Sequence, residues 1–392
     1  MSKQEDSQAV RDAATALNRR QFLGTGMALG AGGTLLAGLG LSGCGTERLA
    51  AAPTAAAAPK PSPTPTPSPA AAPSGGRPPL PPEPTVSQPP PLRQLQGKVA
   101  YVTASSDGIG LGIARAASNA GMKVVIGYRN EERLKAALPL FKPGNAGVFP
   151  VKHDVTDRDG WAHLLEQIKG QYGKLHLVVN NAGIKTLRQA SQAKYDEWDN
   201  AVAVNFTAIY NSVAVCLPHM LEHGEGGHFV TTASMGGLLP GVNAGVYTST
   251  KIAAVGIMEA LRVELESTNI GTSVFCPGGV NTDNYVGSGE ENPFRKPPPP
   301  GAPRFNFVSM DPLEAGERVM NGVVNNDLFI LSHPEFKPGM KERYDAIMAS
   351  TPAVETPIPQ PRIDYERVVL RCGTYPREIE HRKVKRKSYR SV

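Results

Sequence analysis

Apolar residues recur along this chain in two alternating rhythms, short unbroken runs and longer stretches of helical spacing, and they do so only from about residue 95 to residue 349. The runs at residues 99–103, 123–127, 148–152, 177–179, 273–276 and 328–331 are rich in β-branched residues and read as strands buried on both faces. Helical stretches run from Gly108 to Ala120, from Tyr195 to His223 and from Tyr247 to about Glu266. Asp311 followed by Pro312 marks the start of another helix, with an N-cap and a proline at the first helical position. Strands taking turns with helices predict a single α/β domain at 95–349. Its expected core is a doubly wound parallel sheet, with helices on both faces.

The two ends of the chain are built differently. Asn18-Arg19-Arg20-Gln21-Phe22-Leu23 precedes an uncharged Gly/Ala/Leu stretch that ends in Leu41-Ser42-Gly43-Cys44. A twin arginine before such a stretch looks like a Tat-type export signal over residues 1–43, and the ending resembles a lipobox with Cys44 as the lipidated residue. The implied location is the cell envelope, outside the cytoplasm, with the protein lipid-anchored to a membrane through Cys44. Residues 44–94 are mostly Pro, Ala, Ser and Thr and are expected to form an extended, disordered tether. Residues 350–392 are Pro-rich and then basic, carry most of the formal net charge of +6, and are expected to be a disordered tail. The alternative for this tail is attraction to anionic lipid or polymer; nucleic acid is not implied. The chain has 4 cysteines, and without Cys44 the three left give no disulfide framework. Of these, Cys216 and Cys276 read as small packed hydrophobes.

Candidate chemistry centres on Tyr247 and Lys251, which share a helix face at i and i+4. A free phenol titrates at about 10. An ammonium roughly 4 Å away favours the phenolate by up to about 4 kcal/mol at an effective dielectric near 20, which is enough for acid–base work near neutrality. Upstream, the strand at 99–103 runs into Thr103-Ala104-Ser105-Ser106-Asp107-Gly108-Ile109-Gly110 and a helix. A small-residue turn at a helix N-terminus lets backbone N–H groups approach a pyrophosphate. Further small-residue segments follow other strands: Asn181-Ala182-Gly183, and Pro277-Gly278-Gly279-Val280-Asn281-Thr282. His153-Asp154-Val155 places a carboxylate at a strand end, suited to an adenine amino group. Asn205 sits in mid-helix, where asparagine is otherwise unfavourable.

Taken together these segments resemble the short-chain dehydrogenase/reductase family over about residues 95 to 345. The Thr103 turn, Asn181-Ala182-Gly183, Ser234 and the Tyr247/Lys251 pair stand in the family's order and spacing. Ala104 departs from the pattern, taking the place of the first glycine. The resemblance implies a Rossmann-like fold with a sheet of about seven strands and an NAD(P)-dependent interconversion of an alcohol with a ketone or aldehyde. Tyr247 would be the general acid or base, and Lys251 would lower its pKa and bind the nicotinamide ribose. Ser234 would hold the substrate oxygen, Asn205 a relay water, and Asn181 would shape the nicotinamide side. The implied cofactor contacts are Thr103, Ser105, Ser106, Asp107, Gly108, Ile109, Gly110, Arg129, Asp154, Val155, Asn181, Ala182, Gly183, Tyr247, Lys251, Pro277, Gly278, Val280 and Thr282.

The second strand ends in Tyr128-Arg129, with no acidic residue to repel a 2′-phosphate, so NADP(H) is favoured over NAD(H). No His/Cys/Glu set has metal-ligand spacing, and the chemistry needs no metal. A homodimer or homotetramer is the family's habit. The segment from Asp283 to Met310 is where the family places its substrate lid. The competing reading is a catalytically silent member that acts as a binding or scaffold module in the envelope.

Overall fold

The computed structural model describes residues 84–141, 147–282, 309–353, 357–370, 373–384 and 386–391, all within the unit Gly76–Val392. The expected signal peptide, Cys44, the tether as far as residue 83, segment 283–308 and Cys372 lie outside the described residues.

Seven parallel strands make one sheet: β1 (Val99–Val102), β2 (Lys123–Tyr128), β3 (Val148–Lys152), β4 (Leu177–Asn180), β5 (Gly227–Thr232), β6 (Ile270–Cys276) and β7 (Phe329–Leu331). Their spatial order is β3-β2-β1-β4-β5-β6-β7, the doubly wound Rossmann-like arrangement expected. Alternate residues of each strand face opposite layers. Val99 and Tyr101 join Trp161, Ile168, Phe229 and Met258 in one core, while Ala100 and Val102 join Ile113, Val124, Phe275 and Val319 in the other. The first layer is closed by α3 (Arg158–Tyr172), α5 (Ala208–His223) and α6 (Gly245–Leu265), and the second by α1 (Gly108–Asn119) and α7 (Pro312–Asn325). The short α2 (Glu131–Ala137) follows β2. Strand β5 has no counterpart in the sequence reading, because His228 and two threonines interrupt its apolar run. Inside the sheet His228 Nε2 lies 2.8 Å from Ser273 Oγ and Thr231 Oγ1 donates to Met258 Sδ at 3.1 Å, while His228 Nδ1 and Thr232 Oγ1 have no hydrogen-bond partner among the described residues.

The helix expected from Tyr195 to His223 is α4 (Tyr195–Val202), one π turn (Ala203–Thr207) and α5. Strand order reverses between β1 and β4, so a crevice opens beyond their C-terminal ends, where doubly wound sheets bind ligands.

The chain ends require two corrections. Residues 84–94 are not free tether: Leu92 is buried, and the Gln88 amide reaches the carbonyls of Leu265, Thr268 and Ile270 at 2.8–3.0 Å. Nor are the described residues of 350–392 simply a solvated tail. Beyond α8 (Lys337–Ala349), they include α9 (Gln360–Leu370) and α10 (Thr374–Lys383), and the segment after α10 buries Tyr389 in the second core.

Both chain ends meet on Arg262 of α6, itself only 3% exposed. Its guanidinium donates to Gln88 Oε1 at 3.2 Å, Asn326 Oδ1 at 2.7 Å, and Asn326 O and Thr272 O at 2.8 Å. Glu378 of α10 lies 3.5 Å from Arg262 Nε. Three arginines of the basic run pair with carboxylates of the domain, Arg382 and Arg386 with Asp327 and Arg390 with Glu317, and Arg377 just before the run pairs with Glu266 at 2.9 Å. These partners are far back in the sequence, which is why the run read as free charge. The clasp sits at the N-terminal ends of β6 and β7, the pole opposite the crevice.

Candidate active site

Two hollows, of about 740 Å³ and 400 Å³, open at the strand C-terminal ends and share Gly183 and Ile184 in their walls. Between them sits the turn after β1. Thr103 shapes it from below: its hydroxyl accepts from Asn181 N and Ala182 N, both at 2.8 Å. The Asn181 amide is spent on the carbonyls of Thr103 and Ala104, at 3.2 and 3.5 Å. Ser105 is part of the turn but turns inward, donating to Val102 O at 2.7 Å, so it shapes the loop and does not face a ligand.

Ser106 and Asp107 line the smaller hollow and Ile109 the larger. Asp107 caps α1, accepting from Gly108 N at 2.7 Å. A Cβ on Gly110 would lie 2.5 Å from both Ala104 O and Asn181 Nδ2, so only glycine keeps the turn this tight. A dinucleotide pyrophosphate fits this cradle of bare backbone at a helix N-terminus.

Ala104 holds φ at +48°, a conformation glycine takes at little cost and alanine does not. Ala104→Gly is expected to stabilise the protein by about 0.5–1 kcal/mol after the added chain entropy, raising the melting temperature by about 2 °C. A melting temperature unchanged or lowered would show that this turn stores no strain.

On the adenosine side, Tyr128, Arg129, Asn130, His153 and Val155 line the smaller hollow. Asp154 accepts from Thr156 N at 2.9 Å and from Thr156 Oγ1 at 2.7 Å, and pairs with Arg129 at 3.3 Å; these contacts, led by the Thr156 backbone, hold its carboxyl below the usual value. Arg133, which the sequence reading missed, also lines this hollow and pairs with Asp107 at 2.6 Å. Its signal was a second arginine four residues after Arg129.

The larger hollow brings together Ser234, Tyr247, Lys251, Asn181, Gly183, Pro277, Gly278, Val280 and Thr282. Lys251 is buried and donates to Thr232 O at 2.9 Å, with its ammonium 5.7 Å from the Tyr247 ring centre. The Met235–Gly237 turn seats Ser234 against α6: a Cβ on Gly237 would lie 2.7 Å from Lys251 O. Ser234 Oγ accepts from Gly236 N at 3.0 Å.

Asn205 occupies the π turn, a device that turns a mid-helix side chain toward a site. Its Oδ1 accepts from Ile184 N at 2.8 Å, and its Nδ2 donates to Ile184 O and Thr250 Oγ1, each at 3.0 Å. Thr250 in turn donates to Tyr247 O at 2.8 Å, linking Asn205 to the tyrosine; the sequence reading passed over this threonine. Asn205 therefore spends its amide on the protein.

Burial pushes the Tyr247 phenol above its ordinary value; a hydrogen bond with Ser234 pulls the other way, and Cys276 adds to the rise. This departs from the expectation that Lys251 depresses the phenol. Burial brings Lys251 itself down to about 8. Between pH 8 and 10.5 the unfolded lysine holds a proton that the folded one has released, so stability rises with pH. The raised Tyr247 pKa acts oppositely above about 10, which leaves pH 8–10 as the window. In nucleotide-free protein the wild type is expected to gain about 2 kcal/mol over this window relative to Lys251→Met. Parallel stability profiles for the two proteins would contradict the buried ammonium.

The short chain dehydrogenase family model matches residues 98–292. The 3beta-hydroxysteroid dehydrogenase 2 of Eggerthella lenta is 30% identical over 203 residues, covering 52% of this chain and 77% of that protein. The chain belongs to the short-chain dehydrogenase family. Another member, the C alpha-dehydrogenase of Sphingobium sp. strain SYK-6, is 26% identical over 275 residues, covering 68% of this chain and 90% of its own. Among solved short-chain dehydrogenase folds, the apo form of LigO from the same organism superposes with a TM-score of 0.56 at 31% identity, covering 74% of this chain and 96% of its own. The homologues are dehydrogenases and oxidoreductases, and the chain is read as an oxidoreductase.

Proposed function

We propose that this protein interconverts a bulky, apolar secondary alcohol and its ketone, using NADP(H) as the hydride carrier. The observation that carries this reading is the convergence of Ser234, Tyr247 and Lys251 on one hollow beside the glycine turn. The dinucleotide supplies or accepts the hydride when bound. Tyr247 exchanges a proton with the substrate oxygen, and Ser234 holds that oxygen as charge develops on it. Lys251, fixed by Thr232 O, offers a cation next to the tyrosine and a donor for a ribose hydroxyl. Ile184, Leu187, Met235, Leu239 and Phe336 give the hollow apolar walls. A bulky substrate accords with its size and with the hydroxysteroid named in one relative. Reduction of a panel of aryl and alicyclic ketones, followed by consumption of reduced nicotinamide, tests the reading; no turnover on any, with dinucleotide bound, would count against it.

Arg129 supports the choice of NADP(H), with Arg133 beside it. Both are paired with carboxylates in the nucleotide-free protein, and a 2′-phosphate would compete for them. Arg129→Ala is expected to lower the preference for NADP(H) over NAD(H) by about tenfold. An unchanged preference in the ratio of kcat/KM values would remove this arginine from the specificity site.

The twin arginine and Cys44 support a lipid-anchored envelope enzyme, and the exposed Tyr210 and Leu221 of α5 and Ile252 of α6 support self-association through these helices. Tat-type export carries folded protein, so the dinucleotide would leave with it and stay bound. Mass spectrometry of nucleotide released from the membrane-purified protein tests this; an empty protein with weak affinity would end it.

A further inference from the structure

We propose that His333, just beyond β7, is a positioning residue that sets the floor of the larger hollow. This rests on the dinucleotide reading above. Pro277, Gly278 and Gly279 line that hollow, and the two glycines carry no side chain of their own to fix the path of the segment. Two ties do so. On one side Met235 N donates to Pro277 O at 2.9 Å, joining the segment to the turn that carries Ser234. On the other side is the His333 imidazole.

His333 Nδ1 accepts from Gly278 N at 2.9 Å, and the buried Ser332 hydroxyl lies 2.8 Å from the same nitrogen. With Nδ1 acting as acceptor, Nε2 carries the proton, and it donates to Gly279 O at 3.1 Å. One ring thus holds the donor of one residue and the acceptor of the next. Gly279 O also accepts from Met310 N at 3.0 Å, so the imidazole shares the anchor of the Val280–Met310 bridge. The fit is close: a Cβ on Gly278 would lie 2.8 Å from the ring and from Phe336. By holding this segment, His333 fixes one wall of the hollow that Ser234 and Tyr247 also line.

Three substitutions separate this role from packing. Asparagine places its carbonyl oxygen where Nδ1 stands, glutamine places its amide nearer Nε2, and phenylalanine keeps the ring's bulk without either bond. In the full-length protein, His333→Phe is expected to weaken NADPH binding about tenfold, read from nicotinamide fluorescence, with a smaller change in kcat. His333→Asn is expected to recover most of that loss and His333→Gln less.

Wild-type affinity in His333→Phe would overturn the assignment, as would equal losses in His333→Asn and His333→Phe. So would losses that follow the variants' melting temperatures alone. Failure of both wild type and Tyr247→Phe to bind NADPH would instead bring down the dinucleotide reading, and this inference with it.

Discussion

Tyr247→Phe is expected to lower kcat/KM by about 10²–10⁴-fold while leaving the fold and the NADPH affinity in place. The substitution removes one hydroxyl. The ring stays against the turn that holds Gly236, where a Cβ would lie 3.3 Å from the tyrosine edge, so packing survives. Lys251 keeps its bond to Thr232 O, and Thr250 still donates to the carbonyl of residue 247. What is lost is the group that exchanges a proton with the substrate oxygen, and no other described side chain of the hollow combines a titratable hydroxyl with that position. Steady-state rates, a melting curve and an NADPH titration on the same preparation check the three parts separately. Turnover within a few-fold of wild type would remove Tyr247 from the chemistry. An unchanged cellular phenotype would favour the scaffold reading.

The largest expected effect on stability belongs to Arg262→Met, at about 3–5 kcal/mol. Methionine can follow the apolar stem of the arginine but leaves Glu378, 12% exposed, without its cation. It also removes the donor to Thr272 O and both bonds to Asn326. Because the same guanidinium reaches Gln88 and faces Glu378, both chain ends should loosen together. Chemical denaturation measures the loss, and limited proteolysis of residues 84–94 and 374–391 reads the release. A loss below about 1 kcal/mol, with both segments still protected, would mean that the clasp is held by other contacts such as Arg377 with Glu266.

What the sequence disclosed and what it withheld divide along the range of the interactions. β1 was legible because Val99 to Val102 are buried on both sides, which forces an unbroken apolar run. The pairing of Tyr247 with Lys251 was legible because one helix turn separates them. Asn205 stood out because mid-helix asparagine is unfavourable, although neither the π turn nor its use of Ile184 as partner has a local signature. The clasp was hidden because it is made between residues distant in the chain, Gln88 with Asn326 and Arg386 with Asp327. Seen locally, the arginines of the basic run are solvated charge; only the folded chain brings Asp327 and Glu317 to them. The direction of the Tyr247 shift was misjudged for a related reason. Spacing gives the neighbour of a titratable group but not its burial, and burial is the larger influence on both partners.

The central claim is that this protein moves a hydride between a dinucleotide and a carbon bearing oxygen, with Tyr247 moving the proton. Incubating the wild-type protein with a bulky ketone and NADPH deuterated at its transferable ring positions, then weighing the product, tests it most directly. The account predicts alcohol carrying one deuterium on the carbinol carbon, formed far more slowly by Tyr247→Phe. Alcohol formed without the label, or no alcohol from any ketone of the panel although NADPH is bound, would contradict it.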